Sequence, residues 1–256
     1  MVKKKKISAG DRTFHIAVLV IVFLMCVITL YPIYYMLIVS SSDGNAVLRG
    51  DITILPKGIN FGAYKAVLSN EYVPKAYLNT LIYTVAGTLV SVGMTALCAY
   101  PLSRKEFYGR GIFTGIVVFT MFFDAGIISN YMVVQSAGLM NSIWAIILPG
   151  AINVWYMIIM RTFFSDIPEE LFESARLDGA NDLTIFVKMV LPLSKAVLAT
   201  MVLFYAVGFW NQWLQPLIYL NDRSRFPMQL ILRNIVLGTD EAHSTSMYAS
   251  AEQVTM

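Results

Sequence analysis

The sequence predicts an all-α integral membrane protein with five transmembrane helices in this chain. Composition and charge spacing carry that prediction. Of 256 residues, 57% are hydrophobic and 14% charged, against about 25% charged in a soluble domain. The charges are also absent from long runs: no Asp, Glu, Lys or Arg occurs from Thr13 to Ser42 or from Ala76 to Ser103. Lipid cannot satisfy free backbone groups, so such runs should be helical. The net charge of +3 is scattered at the ends of apolar segments, as membrane topology predicts. It does not suggest a nucleic-acid partner.

The spans follow in order. The first, over 14–40, follows Lys3 to Lys6. It far exceeds the roughly 7–15 apolar residues of a signal peptide, so it reads as an uncleaved span. The others are expected over 77–101, 111–135, 141–161 and 195–220. Asp124 is the only charge in the third. Polar or basic links separate them, Ser103–Gly111 and Gly138–Asn141 among them. Cys26 and Cys98 lie in apolar runs and read as small buried hydrophobes. His15 and His243 belong to no metal-ligand cluster.

Lys and Arg near span ends set the orientation. The four N-terminal lysines and Arg12, then Arg104, Lys105 and Arg110, then Arg161, Arg176 and Lys188 share one side if five spans run in this order. That side is expected to be the cytoplasm, with the N-terminus inside and residues 43–75 outside. The segment from 221 onward also falls outside, where Arg223, Arg225 and Arg233 run against the rule.

Residues 165–193 form a polar cytoplasmic loop. Asp166 with Glu169 makes a capping-box pattern for a helix over 167–177, with Pro168 in its first turn. Leu171, Phe172 and Ala175 give it an apolar face. Gly179 supplies a helix stop. Asn181 or Asp182 can cap a second helix over 183–190 carrying Ile185, Phe186 and Met189, and Pro192 leads into the last span. A surface helix resting on lipid is usually basic. Here Glu169, Glu170, Glu173 and Asp178 stand against Arg176 alone. An anionic leaflet repels such a face, so a cytoplasmic protein partner explains it better.

The string Glu173-Ser174-Ala175-Arg176-Leu177-Asp178-Gly179-Ala180, then Phe186 and Leu191-Pro192, resembles the "EAA" loop of ABC importer permeases. It departs from the family pattern at Ser174, Met189 and Ala196. Ala99-Tyr100-Pro101-Leu102-Ser103-Arg104, Gly138-Leu139-Met140-Asn141-Ser142, Ile147-Leu148-Pro149-Gly150 and Arg161-Thr162-Phe163-Phe164 resemble stretches of the second permease of maltose-type carbohydrate importers. The resemblance covers nearly the whole chain. It implies a type I ABC importer transmembrane domain over 1–256 in a bacterial plasma membrane. It also implies a second permease subunit, two cytoplasmic ATPase subunits, an extracellular solute-binding protein and a sugar substrate. By motif match, Glu173, Ser174, Ala175, Asp178, Gly179 and Ala180 would couple to the ATPase. ATP and Mg would sit on the partner subunits, with no cofactor on this chain. The family normally has a sixth span. The expected last span is missing here, so C-terminal truncation, and with it a non-functional permease, is a reading to keep open.

Polar residues within the spans are candidates for the solute path. Asp124 sits at mid-depth, where a lone carboxylate costs about 2.5–3.5 kcal/mol, so it should face protein or water. Trp210, Asn211, Gln212, Trp213 and Gln215 combine ring faces with amides, as a sugar site does. Trp also belongs to the interfacial belt. Asn153, Trp155 and Tyr156 form a second group, for which helix packing competes. No G-x-x-x-x-G-K-[ST] loop and no catalytic set occurs, so the chain is not expected to hydrolyse ATP. A permease for amino acids, peptides or ions is the alternative. An intramembrane enzyme would need a second carboxylate at depth, and a secondary transporter would need paired broken helices in repeated halves.

Overall fold

The structure is a computed structural model that describes residues 9–69, 72–123 and 125–237. The Lys3–Lys6 run, Asp124, His243 and the tail Thr239–Met256 lie outside the described residues. The chain divides into two units after residue 70.

The first unit is built on α1 (Ala9–Ser40), with α2 (Gly44–Leu48) and α3 (Gly62–Ser69). At 1.5 Å per residue α1 is about 48 Å long, more than the roughly 30 Å of a hydrocarbon core. It is exposed from Gly10 to Leu37, and a helix apolar all round belongs in lipid or against another subunit. Cys26, expected to be buried, is exposed there. Residues 43–69 fold back on the end of α1. Tyr34 donates to the Ile54 carbonyl (2.7 Å), the Ser40 and Tyr64 hydroxyls lie 2.7 Å apart, and the Asn60 N–H donates to Ser41 (2.9 Å).

The second unit is arranged around α4 (Tyr72–Ser103). After it come α5 (Arg110–Phe122), α6 (Gly126–Ser136), α7 (Ile143–Ile147), a 3₁₀ turn over Leu148–Gly150 and α8 (Val154–Ser165). Then follow α9 (Glu169–Leu177), α10 (Asp182–Ile185), a π turn over Phe186–Val190, α11 (Leu191–Leu193), α12 (Lys195–Trp210), α13 (Leu214–Tyr219) and α14 (Met228–Val236). Among the described residues, only α1 and α4 are long and apolar enough to cross a membrane unaided; if each bent pair is one span, the number rises to as many as five.

The five expected spans are helical, but three of them are broken rather than continuous. The third predicted span ends at Phe122, passes through an extended Phe123 and restarts at Gly126, whose φ is +79°. The fourth bends by 57° between the Leu148-Pro149-Gly150 turn and Asn153. The fifth stops at Trp210 and resumes at Leu214. Pro216 explains that last break: a continuous helix would drive its ring into the carbonyl of Gln212 and leave a hydrogen bond unmade. Hydropathy sees an unbroken apolar run across such points, and the backbone does not.

Small residues let α4 sit at the centre. Thr80, Gly87, Ser91, Thr95 and Ala99 are buried along one side of it, spaced so that neighbouring backbones can approach closely. At Gly87 α12 comes close: a Cβ there would lie 2.7 Å from the Phe209 ring. One turn away, the buried Tyr205 hydroxyl lies 2.7 Å from Thr95 Oγ1 and accepts the Asn153 N–H at 2.9 Å. A single hydroxyl thus ties α4, α8 and α12 together.

A second network holds the segment between α13 and α14. Asn141, with φ +56°, donates its N–H to the Tyr219 carbonyl (2.8 Å). Its Oδ1 accepts from the N–H groups of Asn221 and Asp222, and Arg225 donates to its carbonyl. From α4, Asn79 and Tyr83 donate to Ser224 and Arg225 carbonyls (both 2.7 Å), and Thr80 Oγ1 accepts the Met228 N–H (2.8 Å). Hydrogen bonds from Ser224 hold the Asp222 carboxyl below the usual range.

Two substitutions test this packing in the purified protein. Gly87→Ala should destabilise it by about 1–3 kcal/mol through overpacking. Adding Phe209→Leu should recover part of the loss, read as non-additive thermal midpoints. Tyr205→Phe should cost on the order of 1 kcal/mol by orphaning Thr95 and the Asn153 N–H; an unchanged midpoint would remove the hydroxyl from its bridging role.

Candidate functional site: a fastened surface helix and a distant cavity

The loop 165–193 folds as two short helices. The first begins later than expected. Asp166 does not open it: its backbone is helical and its N–H bonds back to Thr162 and Phe163, so it closes α8. Pro168 restricts the residue before it away from helical dihedrals, and Pro168 itself is the N-cap of α9 with no side-chain cap bond. The capping-box expectation is corrected accordingly, since Glu169 pairs with Arg104 instead. The end of α9 is as expected. Gly179 adopts φ +79°, its N–H bonds to Arg176 (3.0 Å), and the Ala180 N–H bonds to Ala175 (3.0 Å). That pair of bonds is a Schellman motif. Asn181 then caps α10, its Oδ1 accepting the Thr184 N–H at 2.8 Å.

The inner side of α9 is bound to the rest of its unit. Phe172, expected on the apolar face of this helix, is only 1% exposed. The Arg104 guanidinium lies over its ring, 3.4 Å from the centroid, and pairs with Glu169. Arg104 follows directly on α4 and is itself 7% exposed. Below it, the Leu102 carbonyl accepts from Arg110 Nε and Arg161 Nε, both at 3.0 Å, and Ser165 donates to the Ser103 carbonyl (3.3 Å). The last carbonyls of a helix lack partners of their own and carry its negative dipole end, so guanidinium groups suit them. Arg176 adds a bond to Glu106 (2.7 Å) and a longer contact to Asp182 (3.8 Å). The hydrogen bond to Glu106, above all, raises its pKa further and keeps it charged. Phe186 of the π turn packs on Tyr100 of α4, ring centroids 5.0 Å apart.

The outer side is unoccupied by the chain itself. Glu173, Ser174, Asp178 and Gly179 are exposed. Among the described residues, Glu173 and Asp178 make no ion pair. Leu177 is 88% exposed and Leu183 66%. These two exposed apolar residues were not singled out from sequence, and neither was the Arg104 contact. Leu177 could have been found, because it follows Arg176 on a helix whose apolar face was otherwise accounted for.

At the far end of α8 and α12 lies a cavity of about 420 Å³, lined by Asn153, Tyr156, Phe204, Tyr205, Asn211, Gln212, Trp213 and Gln215 among others. That volume is in the range of ligand pockets. The structure brings Asn153, Asn211 and Gln212 together here. It puts Trp155 on an exposed face away from the lining and packs Trp210 edge-on against Tyr77, 5.8 Å between centroids. The three amides differ in availability. Asn211 is engaged at both ends, Nδ2 to the Val207 carbonyl (2.8 Å) and Oδ1 to Gln229 (3.3 Å). Asn153 spends Oδ1 on capping α8 (3.2 Å to Tyr156 N). Gln212 Oε1 is buried and has no hydrogen-bond partner among the described residues.

Comparison with known proteins agrees with this arrangement. The sequence matches the family described as binding-protein-dependent transport system inner membrane component over residues 58–249. It is 40% identical over 227 residues to the polygalacturonan/rhamnogalacturonan transport system permease protein YtcP of Bacillus subtilis (strain 168), covering 89% of this chain and 79% of that protein. It is 37% identical over 233 residues to protein LplC of the same organism, covering 91% and 79%. Among solved structures, a chain of a bacterial ABC transporter involved in the import of the acidic polysaccharide alginate superposes with a TM-score of 0.86 at 34% identity, covering 94% of this chain and 87% of that one. The architecture is that of a type I ABC importer transmembrane domain, and the chain belongs to the family of binding-protein-dependent transport system inner membrane components.

Proposed function

We propose that this chain is a permease subunit of an ATP-driven sugar or oligosaccharide importer in a bacterial plasma membrane, and that α9 with its glycine turn docks on a cytoplasmic ATPase. The observation that carries the reading is the two-sided character of α9: its inner face is fastened to Arg104, which directly follows α4, while Glu173, Asp178 and Leu177 stand exposed. A polar rim around an exposed apolar residue suits a protein partner. The Arg104, Arg110 and Arg161 cluster beside it supports a cytoplasmic position for this end, and with it a cytoplasmic N-terminus. The polygalacturonan/rhamnogalacturonan transport of YtcP and the alginate import of the solved transporter support a saccharide as solute.

On this reading the assembly holds a second permease, two ATPase subunits and an extracellular solute-binding protein. ATP and Mg bind the ATPase subunits, and this chain carries neither. Closure of the ATPases displaces the docked α9. Because Arg104 joins α9 to α4, the displacement reaches the helices that line the distant cavity. ATP then shifts a two-state equilibrium through contacts that differ between the states. Ser174, Ala175 and Ala180 belong to the docked segment, with Gly179 supplying the left-handed turn. The cavity amides Asn153, Asn211 and Gln212 lie on the solute path. Asp124, Trp155 and Trp210 remain candidates for other parts of it.

Four variants of the co-purified assembly test this. Glu173→Arg should lower binding-protein-stimulated ATP hydrolysis by at least about tenfold, a loss of about 1.4 kcal/mol of coupling; unchanged stimulation would sink the docking role. Gly179→Val should weaken ATPase association as well, since a β-branched residue at φ +79° is strained. Arg104→Gln should leave ATPase association intact while sugar moved per ATP falls. Glu169→Gln, at a half-exposed position, should do the same more mildly, and normal coupling in both would show that the clamp transmits nothing.

A further inference from the structure

The segment that follows α1 belongs neither to the docking helix nor to the cavity, yet its placement along α1 is specific. Asn60 donates its N–H to the Ser41 carbonyl (2.9 Å), and Asp43 donates its N–H to the Lys57 carbonyl (3.0 Å). Both ends of the strap 43–60 therefore lie level with the end of α1. Between them the chain turns back along the helix, because the Tyr34 hydroxyl donates to the Ile54 carbonyl (2.7 Å). Helix side chains lean toward the N-terminus, so that carbonyl is held near the turn that carries Tyr34. From Ser41 back to Tyr34 is about 10 Å at 1.5 Å per residue.

That level coincides with the edge of the bilayer. The charge-free run begins at Thr13, and a hydrocarbon core of about 30 Å takes about 20 helical residues. Its far edge falls near Tyr34, where the Tyr31 and Tyr35 rings stack 6.0 Å apart as an aromatic belt would. What the strap presents there is apolar. Ile54 is 66% exposed, Leu55 70% and Ile59 72%, while Ile52 is buried. From Ile52 to Asn70 the only charges are Lys57 and Lys65, with no acid among them. Interfacial segments combine an apolar face with basic residues in this way, their ammonium groups reaching out to lipid phosphates. The backbone is suited to the place as well. The Lys57 N–H donates to Ser42 Oγ (3.3 Å), the Lys57 and Ile54 carbonyls are paired as above, and Pro56 has no N–H to satisfy.

We propose that residues 52–59 are a membrane anchor, an apolar tip seated in the boundary between lipid headgroups and acyl chains and held at that depth by Tyr34. The anchor gives α1 a fixed depth, which length alone does not: a helix of about 48 Å in a core of about 30 Å can slide or tilt. The proposal rests on α1 as a membrane span and on nothing assigned to α9 or to the cavity.

The test uses the assembled complex in lipid nanodiscs, in a chain carrying Cys26→Ala and Cys98→Ala, with a nitroxide at Leu55→Cys or at Ile59→Cys. Oxygen partitions into lipid and a nickel chelate stays in water, so their relative effects on the nitroxide report its depth. Both labels should favour oxygen and lie about 5–10 Å into the interface, whereas a label at Asn45→Cys on α2 should favour nickel. Adding Tyr34→Phe should shift the Leu55→Cys label toward water. Nickel access at Leu55→Cys equal to that at Asn45→Cys would overturn the anchor. Exclusion of both reagents would also overturn it, since a protein partner would then cover the tip. A label that stays in place in Tyr34→Phe would overturn the tether. A label at Leu24→Cys, midway along α1, separates these outcomes from failure of the span: nickel access there would overturn α1 as a membrane helix.

Discussion

The end of α4 is the point on which the rest of this molecule depends. A helix inside a membrane must satisfy its last carbonyls without water. Here the Leu102 carbonyl takes two guanidinium groups, from Arg110 at the start of α5 and from Arg161 in α8. The next residues extend the same knot: Ser103 accepts from Ser165, and Arg104 closes on Glu169 and Phe172. One helix terminus thus collects α5, α8 and α9. A need that every buried helix end has is met by side chains from α5 and α8, and the residue that follows, Arg104, holds α9 beside them.

From that knot the structure reads as a lever. Toward the far end, α4 is held to α8 and α12 by the Tyr205 hydroxyl and by the close approach at Gly87. Packed interfaces of this kind shift as units rather than deform continuously. The broken helices lie beyond these fastenings, at Pro149-Gly150 and at Asn211 to Trp213, and there the cavity opens. Irregular backbone at membrane depth is tolerated where it lines a cavity or is buried in protein, so the breaks and the cavity share a cause.

Much of this was legible in the sequence, in proportion to how local the signal is. Charge-free runs gave away the membrane class. The Gly179 turn and the Asn181 cap depend on residues within a few positions, and both appear where the sequence placed them. Long-range geometry was not legible. Arg104 reads as one more positive charge at a span end, and nothing nearby reveals that it stacks on Phe172. Asp166 and Glu169 have capping-box spacing, yet Pro168 forces a later start and Arg104 captures the glutamate. Hydropathy averages also hid the breaks, although Pro149 and Pro216 were in plain view. Of the solute-path candidates, the amides near those breaks meet in one cavity, while Trp155 and Trp210 lie elsewhere because a tryptophan at a membrane edge has packing reasons of its own.

The central claim is that α9 and α4 move as one body. Spin labels at Leu177→Cys on α9 and Leu78→Cys on α4, in a chain with Cys26 and Cys98 replaced by Ala, would measure it directly by pulsed dipolar spectroscopy. Within the assembled complex, the distance between the two labels should be the same in the nucleotide-free and ATP-bound states. A change of about 5 Å or more, one helical turn, would show that α9 slides independently of α4 and would contradict the account.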